Sequence, residues 1–186
     1  MVVPEKVFFT RGCGVHKDKL VSFEMALRDA GLAPYNLVTV SSIMPPDAEI
    51  ISREEGLPRL SPGEIVYCVM ARTETNIPGQ MIAASVGLAV PEIHGKQHGY
   101  LSEYHAADIS GHECGEYAED LAATMLATIM DIPFDPETAW QEREQVYLAS
   151  GKIIKTSHLS ASATCGADGK WTTVIVAAVF ILPQSI

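Results

Sequence analysis

The segment Asn36-Leu37-Val38-Thr39-Val40-Ser41-Ser42-Ile43-Met44-Pro45-Pro46 constrains the fold more than any other stretch of this chain. Its apolar, β-branched run reads as a core strand, and that strand has to stop at the prolines, which lack the amide donors a ladder needs. Proline also forces extended backbone on the residue before it. Ser41 and Ser42 are therefore expected on a held, irregular segment rather than a loose loop, where backbone strain can be stored. Strand-end serines also form ordinary local turns, so the pair alone does not decide between the two readings.

The flanking segments set an order of elements. Lys6 to Thr10 reads as a strand, Gly12-Cys13-Gly14 as a turn, and Lys17 to Ala30 as a helix with Leu20, Phe23 and Leu27 on one face and Gly31 as its stop. Past the serine strand, Ile51 to Gly63 is polar, carries Pro58 and Pro62, and reads as a surface excursion. Glu64 to Thr75, Gln80 to Val90 and Gln97 to His105 read as three strands. Ser110-Gly111-His112-Glu113 has the spacing of a capping box that opens a helix to about Met130. Asp135-Pro136-Glu137 starts a shorter helix or turn. Lys152 to Ser160 and Trp171 to Leu182 close the chain as strands joined by a turn at Gly166-Ala167-Asp168-Gly169. This order is not a regular βαβ alternation, so an α+β domain with helices covering sheet faces is expected.

With 186 residues, 47% hydrophobic and 19% charged, the chain suits one well-buried domain covering residues 1–186. A formal net charge of -10 argues against a nucleic-acid or anionic-membrane partner and suits cationic small molecules. The longest apolar runs, Met81 to Val90 and Val174 to Leu182, are too short to span a membrane and read as buried strands. Cys13, Cys68, Cys114 and Cys165 stand singly behind a start unlike a signal peptide, which fits reduced, buried thiols in a cytoplasmic protein. His94 and His98 are four apart, but the glycines and Pro91 around them indicate a loop, and His112-Glu113-Cys114 point in different directions from a helix start. No metal is expected, and His105 and His158 read as plain strand residues. Gly12-Cys13-Gly14 and Gly166 to Lys170 lack the spacing of a phosphate cradle.

A serine hydroxyl held against the preceding carbonyl can attack it and turn the amide into an ester. Elimination and hydrolysis then leave a pyruvoyl group, a cofactor made from the chain itself. The serine segment resembles that of the pyruvoyl-dependent arginine decarboxylases, small self-cleaving enzymes. Phe23-Glu24-Met25-Ala26-Leu27-Arg28-Asp29-Ala30-Gly31 is similar to that family's preceding helix, and Gly99-Tyr100-Leu101-Ser102-Glu103-Tyr104 to its strand carrying a catalytic glutamate. The likeness runs from about Val7 to Met130 and resumes more weakly at the last strands. It implies a four-layer αββα sandwich, a trimer or dimer of trimers with active sites between subunits, and cleavage between Ser41 and Ser42 into chains 1–41 and 42–186. It also implies conversion of L-arginine to agmatine and carbon dioxide, with a role in polyamine biosynthesis. Two alternatives stay open: decarboxylation of another amino acid, and an unprocessed oligomeric protein of the same fold that binds a small molecule.

The resemblance also assigns residues. Ser42 is the pyruvoyl precursor, and a pyruvoyl carbonyl draws off the electrons of a breaking carboxylate bond by condensing with the substrate amine. Glu103 shares a strand face with Leu101 and His105, where apolar surroundings would raise its pKa. By resemblance it protonates the substrate carbon. Glu24 would hold the guanidinium through paired hydrogen bonds; a member of that family carries aspartate there, and the extra methylene bears on the length of substrate accepted. An exposed helix pair between Glu24 and Arg28 at i+4 is the rival reading. Leu27 and Leu101 would be pocket walls or plain core. Asn36 shares a strand face with Ser42, and its amide would steady an oxyanion or hold substrate. Six extended residues span roughly 20 Å, so Asn36 is expected to serve a neighbouring subunit's site or to be a turn residue.

Overall fold

The computed structural model describes residues 3–91, 97–133, 135–141, 146–149 and 152–183. Among these residues, eleven strands and four α-helices follow in the order β1 (Lys6–His16), α1 (Lys19–Ala30), β2 (Asn36–Thr39), β3 (Ile43–Met44), β4 (Glu49–Ile51), α2 (Arg53–Gly56), β5 (Ile65–Thr75), β6 (Met81–Pro91), β7 (Gly99–Ala107), α3 (Gly111–Ile129), α4 (Pro136–Ala139), β8 (Trp140–Gln141), β9 (Val146–Ala149), β10 (Lys152–Thr164) and β11 (Trp171–Ile181). One sheet has the order β2-β5-β11-β1-β4 and the other β3-β7-β6-β10-β9-β8.

Alternation along β11 explains the layering. Val174, Val176 and Ala178 join Val7, Val69, Val86 and Leu101 in a core between the sheets. Ile175, Ala177 and Val179 face outward, onto Ala26 and Ala30 of α1. On the far side, Ala122, Ala123 and Leu126 of α3 cover Ala89 and Ile154 of the second sheet. Strands covered on both faces have no polar positions to alternate with, which is why β6 and β11 are apolar almost throughout. The result is the expected four layers of helix, sheet, sheet and helix.

Several elements depart from the sequence-based expectations. Gly12-Cys13-Gly14 is not a turn: β1 runs straight through it, paired with β11 from Lys6 to His16. A Cβ on Gly12 would lie 2.1 Å from the Ala26 carbonyl oxygen, and one on Gly14 2.1 Å from that of Ser22. These glycines let α1 lie on the strand, and they do not reverse the chain. The helix accordingly buries Ser22, Ala26 and Ala30. Leu20 is 75% exposed instead of sharing a buried face with Phe23 and Leu27. The excursion from Ile51 to Gly63 is folded, with α2 capped by Ser52 and Glu55 and Gly56 buried against Phe8. The hairpin of β8 and β9 was not foreseen. Gly31 stops α1 at φ 78°, and Ser110 and Glu113 form the capping box of α3, as expected.

The serine segment is two edge strands, not one core strand. β2 runs parallel to β5 in the first sheet, whereas β3 runs antiparallel to β7 in the second. Val40, Ser41 and Ser42 therefore carry the chain from one sheet to the other at the rim of the sandwich.

Candidate active site

Three backbone hydrogen bonds hold the crossing. Val40 donates to the Cys68 carbonyl at 3.0 Å, Ile43 to the Ser41 carbonyl at 3.0 Å, and Leu101 to the Ser42 carbonyl at 2.7 Å. The second of these matters chemically, because the Ser41 carbonyl is the one a Ser42 hydroxyl would attack. An amide already pointing at that oxygen is suited to stabilising negative charge that develops on it. Neither serine has left-handed backbone; Asp47 does, at φ 62°, in the turn after the prolines. The crossing is held by hydrogen bonds and not by backbone forced to positive φ.

Leu101 and Glu103 lie on one face of β7, and Leu101 is fully buried between the sheets. Glu103 is two residues beyond the amide that grips Ser42 and is open to solvent on one side of the isolated chain. Desolvation nevertheless dominates its electrostatics and raises its carboxyl pKa above the ordinary value. Cys68 senses the same carboxyl: burial, and secondarily the negative charge of Glu103, push its thiol up to about 11. A carboxyl group that keeps its proton longer than usual therefore stands beside the crossing and can serve as an acid. A mainly apolar cavity of about 510 Å³ opens at the crossing, lined by Val40, Ser41, Ile43, Tyr67 and Phe180 among others.

The other sequence-based candidates lie elsewhere in the protomer. Asn36 begins β2 at the end remote from the crossing, and its amide nitrogen donates to the Gly63 carbonyl at 2.8 Å. Glu24 is paired with Arg28, whose Nε lies 2.8 and 2.6 Å from its two carboxylate oxygens. Leu27 packs beneath α1 on the outer face of the first sheet, whereas Leu101 is between the sheets. One chain thus assembles Ser41, Ser42, Leu101 and Glu103 and does not bring Glu24, Leu27 or Asn36 to them. Sequence reading missed the Ile43 amide, which has no side-chain signature, and Cys68, which only the β2–β5 register places beside the site.

Among the described residues, no group of three His, Cys, Asp or Glu side chains is gathered as a metal site requires, and His94 lies outside those residues. His105 is a strand residue as read. His158 is more than that, because its Nδ1 meets the buried Glu119 carboxylate at 2.5 Å. Cys68, Cys114 and Cys165 are buried free thiols and Cys13 is half-buried. No helix among the described residues is long and apolar enough to cross a membrane.

Fold and crossing together define a small αββα domain with an acidic residue on the strand whose Leu101 amide holds the Ser42 carbonyl. The comparisons with known proteins narrow this. The pyruvoyl-dependent arginine decarboxylase family matches residues 6–184, and the chain belongs to that family. It is 55% identical to the pyruvoyl-dependent arginine decarboxylase of Methanococcoides burtonii over 97% of this chain and 100% of the relative. It is 54% identical to pyruvoyl-dependent arginine decarboxylase 2 of Methanosarcina mazei, over 97% and 98%. A probable pyruvoyl-dependent arginine decarboxylase of Chlorobium limicola is 58% identical over 96% and 98%.

Proposed function

We propose that this chain cuts itself between Ser41 and Ser42 and then decarboxylates L-arginine to agmatine and carbon dioxide. The observation that carries this reading is the crossing itself, where the Ile43 amide meets the Ser41 carbonyl and Leu101 ties Ser42 to the strand of Glu103. The Ser42 hydroxyl adds to the Ser41 carbonyl carbon, the Ile43 N–H supports the oxyanion, and the C–N bond breaks to leave an ester. Elimination releases residues 1–41 with a carboxylate end. Water then replaces the Ser42 nitrogen, lost as ammonia, to leave a pyruvoyl group heading residues 42–186. When formed, that group supplies a carbonyl that condenses with the substrate amine and takes up the electrons of the departing carboxylate. Glu103, whose carboxyl pKa is raised by desolvation, gives its proton to the substrate carbon.

Glu24 is the guanidinium partner, with Leu27 and Leu101 as apolar walls, and the substrate displaces Arg28 from it. Because Glu24 and Ser42 lie apart in one protomer, the site is completed between subunits of a trimer or dimer of trimers, and Asn36 serves a neighbour. Two exposed apolar patches support this assembly. Val38, Ile43, Ile65 and Tyr67 surround the β2–β3 rim, while Leu20, Val21 and Met25 flank Glu24 on α1. The setting is the cytoplasm and the pathway polyamine biosynthesis. The Arg28 pairing also favours a second reading, in which a different amino acid is the substrate. Intact mass under denaturing conditions should show chains 1–41 and 42–186, Ser42→Ala should stay whole, and arginine should release carbon dioxide far faster than ornithine or lysine. Unprocessed protein with no decarboxylation would leave a small-molecule-binding protein, and equal turnover of ornithine would remove the guanidinium assignment.

A further inference from the structure

Behind the strand that carries Glu103, three residues stand in one row across the second sheet. Ser102 of β7 is in register with Gly87 of β6, and Gly87 with His158 of β10. The helix α3 sits on this row. A Cβ on Gly87 would lie 2.3 Å from the Ala118 carbonyl oxygen, so the absence of a side chain there sets how closely the helix approaches. Ala118 and Glu119, adjacent in sequence, then grip opposite sides of Gly87. The buried Ser102 hydroxyl donates to the Ala118 carbonyl at 2.5 Å. On the other side the Glu119 carboxylate, itself only 8% exposed, accepts from His158 at 2.5 Å and from Thr156 at 2.8 Å.

The two grips differ in what they hold. Those of Thr156 and His158 fasten α3 to β10, which carries none of the reacting groups. Ser102 fastens it to β7 between Leu101, whose amide binds the Ser42 carbonyl, and Glu103. Successive strand residues point to opposite faces, so fixing the Ser102 side chain against the helix fixes the direction in which Leu101 and Glu103 face the crossing. The hydroxyl meets a helix carbonyl, so its strength does not depend on the protonation of any neighbouring group.

We propose that Ser102 is a positioning residue: by hydrogen-bonding the Ala118 carbonyl of α3, it holds β7 in the pose that aligns Ser42 for self-cleavage and Glu103 for proton delivery. This rests on the assignment of Ser42 and Glu103 above. The general sensitivity of such sites is high, with about 1 Å of misplacement costing on the order of 100-fold in rate.

The test compares Ser102→Ala with Thr156→Val, each of which removes one buried hydrogen bond at the same helix turn. Unprocessed full chain is synthesised in vitro, cleavage is followed by denaturing gel and mass, and thermal unfolding of each protein is recorded. Both variants should lose similar stability. Ser102→Ala should cleave roughly tenfold or more slowly, whereas Thr156→Val should cleave at the wild-type rate. Once processed, Ser102→Ala should show a lower kcat for arginine with an unchanged KM. If Ser102→Ala does not fold, Ser102→Cys, close in volume but a weaker donor, is read in its place. Cleavage of the Ser102 variant at the wild-type rate, or slowing no greater than that of Thr156→Val, overturns the proposal. A wild-type chain that never cleaves overturns the Ser42 assignment instead, so the two failures are distinct.

Discussion

Gly12→Ala probes whether α1 can be moved without touching the crossing. The new methyl carbon would stand 2.1 Å from the Ala26 oxygen and 2.6 Å from the Ala30 nitrogen, where real Cβ contacts do not fall below 3.0 Å. Both are backbone atoms of the same helix, so no side chain can swing aside, and α1 has to retreat from β1 by about 0.9 Å or tilt. Overpacking of this kind costs roughly 1–3 kcal/mol. For a chain of this size, each kcal/mol lowers Tm by about 2–4 °C, measurable by calorimetry at fixed protein concentration. Function should divide. α1 carries Glu24 and Leu27, so a shift near 1 Å should lower kcat/KM for arginine by roughly 10- to 100-fold. Cleavage at Ser41–Ser42, held by β5 and β7, should keep its wild-type rate. An unchanged Tm would refute the close-packing role of Gly12, and parallel loss of cleavage and decarboxylation would refute the separation of α1 from the crossing.

Glu103→Gln should reduce kcat by roughly 100-fold or more. In the wild-type enzyme, the step using the protonated carboxyl should persist above the ordinary glutamate range and decline as pH rises through the raised pKa; this limb should vanish from the variant's pH–rate profile. Glu24→Gln should raise KM for arginine by roughly 10-fold or more while leaving cleavage intact, as mass and steady-state kinetics would report; a normal KM would mean that the Arg28 pair is its whole role. Co-expression of differently tagged Ser42→Ala and Asn36→Ala chains should yield mixed oligomers with activity that neither variant has alone. Inactive mixed oligomers would refute the sharing of sites between subunits.

The raised carboxyl pKa of Glu103 was legible because strand alternation is short-range: Leu101 and His105 set its face, and an apolar face implies that direction of shift. The α3 capping box was legible for the same reason. Gly12-Cys13-Gly14 was misread because glycine signals a reversal and a close approach with the same residue, and only the packing of Ser22, Ala26 and Ala30 of α1 onto the strand tells them apart. The serine segment looked like one core strand because β-branched residues also suit edges, and the prolines show where pairing stops without showing that the chain changes sheets. Whether Glu24 meets Arg28 or a substrate depends on which guanidinium is near, which helix spacing leaves open. The Ile43 amide was beyond reach in principle, because its chemistry belongs to backbone geometry and not to residue type.

The place of β1 has a consequence for the life of the molecule. Residues 1–41 are woven in: β1 lies between β11 and β4, and β2 lies against β5. If the Ser41–Ser42 bond is cut as proposed, the eleven antiparallel residue pairs with β11 and the burial of α1 would still hold the short chain in place, so that cleavage would change connectivity and leave the architecture closed. Folding of the newborn chain is unimolecular, whereas recovery of an unfolded, processed protein requires two separate polypeptides to find each other. Renaturation of the processed form should therefore become second order and fail at high dilution, so that the enzyme keeps a memory of its intact precursor which denaturation erases.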